Sequence, residues 1–207
     1  MPLRPRTHDA LVAMLGGEPG GVFAALRRPT VGALIRVSRG GAVHPQLDGV
    51  LSAELGLDSP PGVPCLLRRS PDGAFHTVEG GLVLATVDTN PLAMLEAHPE
   101  KIGNAIDLGS RSAETWCEAL RDALAIVDEH LPVIRSEIDL VVHQFIPVGY
   151  DAERHVSASY AEAVGTIYLS LHPSSMTMVE AVIHEHQHNK LNALLELDPL
   201  IENAFWP

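Results

Sequence analysis

The residues best suited to chemistry stand together towards the end of the sequence, in His184-Glu185-His186-Gln187-His188. On an α-helix, positions i and i+4 fall within about 40° of one another, so His184 and His188 project from one face and can share a metal ion. Neutral imidazoles suit zinc and iron(II) alike. Glu185 lies about 100° round from His184, beside the pair, where its carboxylate can reach a metal-bound water or a substrate without ligating. His186 points about 200° away and is not a ligand of the same ion. With eleven histidines in the chain, chance yields a His-Glu-x-x-His spacing about 0.04 times per sequence. The surroundings therefore have to carry the reading.

Those surroundings leave the third ligand open. Leu191 and Leu194 occupy the places where a metzincin would have its glycine and third histidine. Downstream, Glu202 is the late glutamate of the kind used by glutamate-type zinc peptidases, with Asp198 as a carboxylate alternative. Upstream, His172 is the best placed, followed by His143 and His155. Glu180 shares the His184 stripe but lies about 12 Å along the axis from His188, which limits it to supporting His184. The opposing reading is a buried helix with two core histidines, because Met178, Val179, Val182, Ile183, Leu191, Leu194, Leu195 and Leu197 make it apolar nearly all round. Imidazoles buried there without partners cost about 1–3 kcal/mol each.

Around this segment the pattern alternates helices with short strands. Residues 175–197 read as one helix stopped by Pro199, with Thr177 and Glu180 in capping-box spacing. Thr166 to His172 reads as the strand that leads into it, and Pro173 breaks it. That strand could take up an extended peptide by β-augmentation. Leu140 to Ile146 reads as another strand, ended by Pro147 and Gly149. Ala113 to Leu131 is the clearest helix of the middle region, with Trp116, Leu120, Ala123, Ile126, Val127 and Leu131 forming a core stripe and Pro132 following. Cys65 to Arg69 and Ala74 to Val78 flank Ser70-Pro71-Asp72-Gly73 as a hairpin, and Leu82 to Val87 completes a three-stranded meander. Helical patterns cover Asp9 to Leu15, Val22 to Leu26, Thr30 to Val37, Pro45 to Leu57 and Pro91 to Ala97. The whole reads as an α+β fold, mostly helical with a small antiparallel sheet, in which a strand leads into the metal-site helix. It forms a single domain over residues 1–207.

Composition removes several function classes. The 26 Asp and Glu against 14 Lys and Arg, a net charge of −12, argue against a nucleic-acid partner, whose phosphates call for a basic stripe. Arg27-Arg28 and Arg68-Arg69 are the nearest basic clusters and read as solvated loop ends. No apolar run reaches the ~18 residues of a membrane span, and Ala10 to Leu15 is too short for a signal peptide. Two cysteines, Cys65 and Cys117, make neither a disulfide framework nor a thiolate zinc site. The expected compartment is the cytoplasm.

The runs Gly165 to Ser170 and Val182 to Leu200 extend the motif into a longer resemblance. They are similar to the bacterial HExxH-motif domain of pathways that modify ribosomally made peptides, sometimes fused to a radical-SAM enzyme. Asp88-Thr89-Asn90-Pro91 and the helix-rich N-terminal part also look similar, so the likeness is loose over most of the chain and close over 165–200. The resemblance implies an iron(II)- and 2-oxoglutarate-dependent peptide β-hydroxylase without a jelly-roll fold. His184 and His188 would bind the iron, and Glu185 would be a ligand or a supporting base. A precursor peptide would be the substrate, with a radical-SAM maturase as a possible partner. The family continues beyond the motif through a tryptophan-containing segment, near whose start Phe205-Trp206-Pro207 closes this sequence. Either the chain is a shortened member, or the remaining ligand and the carboxylate clamp for 2-oxoglutarate are missing. That clamp needs Arg or Lys, and the only one close to the motif in sequence, Lys190, points away from His184. A zinc metallopeptidase with Glu185 as general base is the runner-up, and a non-catalytic partner protein that keeps the fold is the third reading.

Overall fold

The computed structural model describes residues 73–86 and 106–197. The helices expected between residues 9 and 57 and at 91–97, and the strand at 65–69, lie outside them.

Two helices form before the central strands. The first, α1 (Ala113–His130), begins where Ser112 stays extended and its hydroxyl accepts the Thr115 N–H at 3.1 Å, satisfying one donor that the first turn leaves free. Its stripe of Trp116, Leu120, Ala123 and Val127 is buried as the spacing predicts, and Cys117 and Leu124 join it. Leu131 instead is 45% exposed, because the chain turns there. Pro132 then starts α2 (Pro132–Val141). A proline at the first helical position lacks only an N–H that would have no partner anyway, so it begins a helix here as readily as it ends one. The strand expected from Leu140 accordingly starts four residues later.

Five strands make one sheet: β1 (Phe75–Glu79), β2 (Leu82–Ala85), β3 (Gln144–Tyr150), β4 (Ser157–Ala158) and β5 (Thr166–Leu171), in the order β1-β2-β3-β5-β4. The hairpin β1–β2 turns at Gly80, whose φ of +54° suits glycine. The pairs β2–β3 and β3–β5 are parallel, while β4 runs antiparallel to β5. The sheet is therefore mixed, which corrects the expected small antiparallel one. Its parallel core follows from connectivity, since the chain crosses over through α1 and α2 between β2 and β3 and comes back through the antiparallel β4 between β3 and β5. Pro147 sits inside β3 without breaking it. Its carbonyl faces Asp107, whose N–H it accepts at 2.9 Å, so the missing proline N–H falls on the side where β2 has already ended. Gly149, at φ +113°, carries the strand through an irregularity before Tyr150.

One face of the sheet, with Leu82, Leu84, Phe145, Ile167, Leu169 and Leu171, packs on α1, α2 and the last helix, α3 (Ser175–Leu197). A smaller cluster of Ala85, Ile146, Ala158, Tyr160, Ala163 and Tyr168 occupies the other face. α3 covers residues 175–197 as expected, but its cap differs. The Ser174 hydroxyl accepts the Thr177 N–H at 3.3 Å and its carbonyl the Met178 N–H at 3.2 Å, which makes Ser174, not Thr177, the capping residue. No helix among the described residues is long and apolar enough to cross a membrane.

Candidate metal centre

The five residues of the motif lie in the middle of α3 and divide between its two sides. Met178, Val179 and Val182 anchor the inner side in the core. Glu185, His186 and Asn189 continue that side and are buried, whereas His184 and His188 are exposed on the outer one. The helix is thus not buried all round, since Leu191, Leu194 and Leu195 are each more than 40% exposed. Exposure of both imidazoles removes the core-histidine reading.

His184 and His188 face one another. Their Nε2 atoms are 3.1 Å apart and their rings are inclined at 68° with centroids 4.7 Å apart. At that distance one ring N–H can donate to the other ring's lone pair. Equally, two unprotonated Nε2 atoms 3.1 Å apart subtend about 100° at an ion ~2.05 Å from each, an angle that tetrahedral and octahedral shells both accept. The donor set therefore fits a zinc or iron(II) ion as two of its ligands.

Glu185 occupies the neighbouring interior. Its Oε1 accepts a hydrogen bond from the Ser157 hydroxyl at 2.8 Å, tying α3 to the edge strand β4. Asn189 makes the second tie. Its Oδ1 accepts the Gly165 N–H at 2.7 Å, and its Nδ2 donates to the carbonyls of Thr166 at 3.2 Å and Glu185 at 2.9 Å. The start of β5 is thereby held against the turn of the helix that presents the histidines. Sequence reasoning passed over both Ser157 and Asn189. Asn189 stands one residue beyond the motif, and a polar residue on the buried stripe of an otherwise apolar helix is the signal that could have found it.

His186 is fully buried and packs towards α2, with Nε2 at 3.3 Å from Glu137 Oε2. Burial holds its imidazole below the ordinary histidine range, against the opposing pull of Glu137. Lys190 donates to the other Glu137 oxygen at 2.7 Å. Together Lys190 and His186 keep the Glu137 carboxyl below its usual range. Both residues point away from the His184–His188 pair, as the helical wheel predicts.

The upstream ligand candidates do not join the pair. His172 accepts the Ser174 N–H on Nδ1 at 3.0 Å and stands edge-on to His155, with ring centroids 6.3 Å apart. It lines a cavity of about 310 Å³ with Arg111, Thr115, Tyr150 and Ser175 at the other end of α3, which neither His184 nor His188 touches. Burial lowers the affinity of His155 for a proton, opposed by a hydrogen bond to the Ser170 backbone. His143 is partly buried and Glu180 is exposed. Among the described residues no group of three or more His, Cys, Asp or Glu side chains is placed to hold a metal. The downstream candidates Asp198 and Glu202 lie outside those residues. No family model matches the chain, and no curated protein matches it significantly.

Proposed function

We propose that this chain is a metal-dependent oxygenase that β-hydroxylates a side chain of a ribosomally made precursor peptide, using iron(II), 2-oxoglutarate and dioxygen. The observation that carries this reading is the exposed pair of Nε2 atoms, 3.1 Å apart on one helix face. The pair supplies two of the three ligands in the two-histidine, one-carboxylate set of non-haem iron oxygenases, a set that leaves positions open for a bidentate cosubstrate. The resemblance over residues 165–200 supports the choice of iron and of a peptide substrate, and a radical-SAM maturase is the partner it suggests. Iron(II) would supply the site for oxygen activation, with 2-oxoglutarate oxidised to succinate and carbon dioxide as one oxygen atom enters the peptide C–H bond.

The chain's own residues have separate tasks in this reading. His184 and His188 bind the ion. Glu185, next to His184 in sequence, is held on the inner side of the helix by the Ser157 hydroxyl. Asn189 keeps the helix at a set height against β5. Lys190, engaged by Glu137, is not the clamp for the cosubstrate.

One observation favours a second reading. Glu185 follows the first histidine of the His-Glu-x-x-His spacing and is oriented by a hydrogen bond, and a glutamate at that place is what a zinc metallopeptidase uses as the general base that takes a proton from the attacking water. One experiment separates the two. The chain is purified without oxygen, reconstituted with iron(II), and given 2-oxoglutarate while the visible spectrum is recorded. A new charge-transfer band, followed by succinate release and oxygen uptake with a peptide, supports the oxygenase. No band, with stoichiometric zinc and chelator-sensitive peptide cleavage, supports the peptidase. No band and no tight metal leaves a non-catalytic partner protein.

A further inference from the structure

The expectation that Thr166 to Leu171 takes up a peptide fails on topology, because β5 is paired on both sides, with β3 and with β4. An added strand needs an edge, and among the described residues the sheet has two. They differ. At β1 the strand is interrupted by a bulge between Thr77 and Glu79, where the Arg121 side chain donates to the Val78 carbonyl at 3.0 Å. At β4 the ladder fixes which groups face outward. The Ser170 N–H donates to the Val156 carbonyl at 2.7 Å, and Ser157 stands opposite Leu169. In an antiparallel pair this register turns the main chain of Val156 and Ala158 towards β5 and that of Ser157 away from it. Among the described residues nothing bonds the outward N–H and C=O of Ser157. Val156, beside it, is 47% exposed.

The same residue joins the edge to the candidate metal centre. Ser157 turns its main chain outward and its hydroxyl inward to Glu185, the neighbour of His184. A chain lying along β4 would run about 4.8 Å beyond it, alongside the helix turn that carries Glu185 and the histidine pair. We propose that the outer edge of β4 is the docking rail for the peptide substrate, which binds as an extended strand through main-chain hydrogen bonds to Ser157. The inference rests on the reading of the chain as a peptide-modifying enzyme, and names how that substrate is held. Main-chain pairing gives affinity with little dependence on sequence, and it holds the peptide straight past the site.

The test uses the full chain, metal-loaded, and a probe that reports main-chain pairing alone: an equimolar mixture of randomised, N-acetylated and C-amidated heptapeptides. Backbone amide shifts are followed by NMR as the mixture is added. The expected result is a response concentrated at residues 155–159, with hydrogen exchange at the Ser157 amide slowed at least tenfold. The same mixture carrying N-methyl groups on alternate residues should leave those amides unmoved. Ser157→Pro, which removes the outward N–H, should abolish the response. Ser157→Ala, which keeps that N–H and loses only the bond to Glu185, should retain it. A response elsewhere on the chain, or one indifferent to N-methylation, overturns the proposal even if Ser157→Pro fails to fold. A cobalt(II) titration of the same sample reads the metal site separately. Metal binding without an edge response sinks the docking rail and leaves the oxygenase reading standing. An edge response in a chain that takes up no metal does the reverse.

Discussion

Within six positions α3 carries two sets of polar residues that live in different worlds. Glu185, His186 and Asn189 are buried, and each has a protein partner: Ser157, Glu137, and the Gly165–Thr166 backbone. His184 and His188 are exposed and, among the described residues, hydrogen-bond only with each other. The buried set does structural work, because an interior polar group without a partner costs more than its hydrogen bond returns. The exposed pair has no such work to do. Two imidazoles brought to 3.1 Å at a surface stabilise a helix hardly at all, and as cations they would repel. Their convergence is what the proposed metal site would use.

The comparison breaks most visibly on metal. His184→Ala and His188→Ala should each weaken zinc or cobalt(II) binding by more than about 100-fold, beyond the 10–100-fold typical of losing a residue that only supports a ligand. Neither should change the stability of the metal-free chain by more than about 0.5 kcal/mol, as befits exposed positions. Metal titration and urea unfolding of the same samples check both. A histidine variant that binds metal normally would end the metal-centre assignment.

Asn189→Ala should do the opposite. It strands the Gly165 N–H and removes the donor to Thr166 in the interior, which should lower unfolding free energy by about 2–3 kcal/mol. If urea unfolding shows Asn189→Ala to be as mild as His184→Ala, the two sides of the helix are not distinct in the way their hydrogen bonds suggest.

How much of this was legible beforehand depended on whether a feature is local. The helix over residues 175–197 and the shared face of His184 and His188 follow from 3.6-residue periodicity, and so does the burial of Trp116, Leu120, Ala123 and Val127, whereas the exposure of the two histidines does not. Turns and partners are not local. Pro132 was legible only as a stop, since nothing nearby says whether a proline ends one helix or opens the next. The parallel pairing of β3 with β5 depends on where the chain has been between them, and Pro147 is tolerated in β3 only because β2 is short. Ser157 lies 28 residues from Glu185, a separation that no spacing rule reaches.

Acid should sharpen the contrast. His186 in the helix and His155 at the β4 edge both bind protons less readily when folded, with burial as the main cause. The unfolded chain therefore takes up more protons than the native one as pH falls below about 6.5, the ordinary histidine value. Stability is fully present above that pH and declines as pH falls towards the lowered folded values. In the metal-free chain His186→Leu should remove one of the two contributions and about halve the slope of stability against pH between 6.5 and 5. Urea midpoints measured across that range test it. An unchanged slope would mean that His186 is protonated in the native state, with Glu137 outweighing burial.

Lys190→Met should have the smallest effect, and it bears on the cosubstrate. The Lys190–Glu137 pair is partly exposed, a setting in which salt screens the attraction and ordering two side chains cancels much of what remains. Stability and metal affinity should both stay within experimental error. If Lys190 remains with Glu137 when the site is loaded, 2-oxoglutarate binding to the iron-reconstituted chain should also be unchanged, measured by the same charge-transfer band. Loss of that band in Lys190→Met alone would show that the lysine exchanges one carboxylate for another. The inner side of α3 would then serve the chemistry as well as the fold.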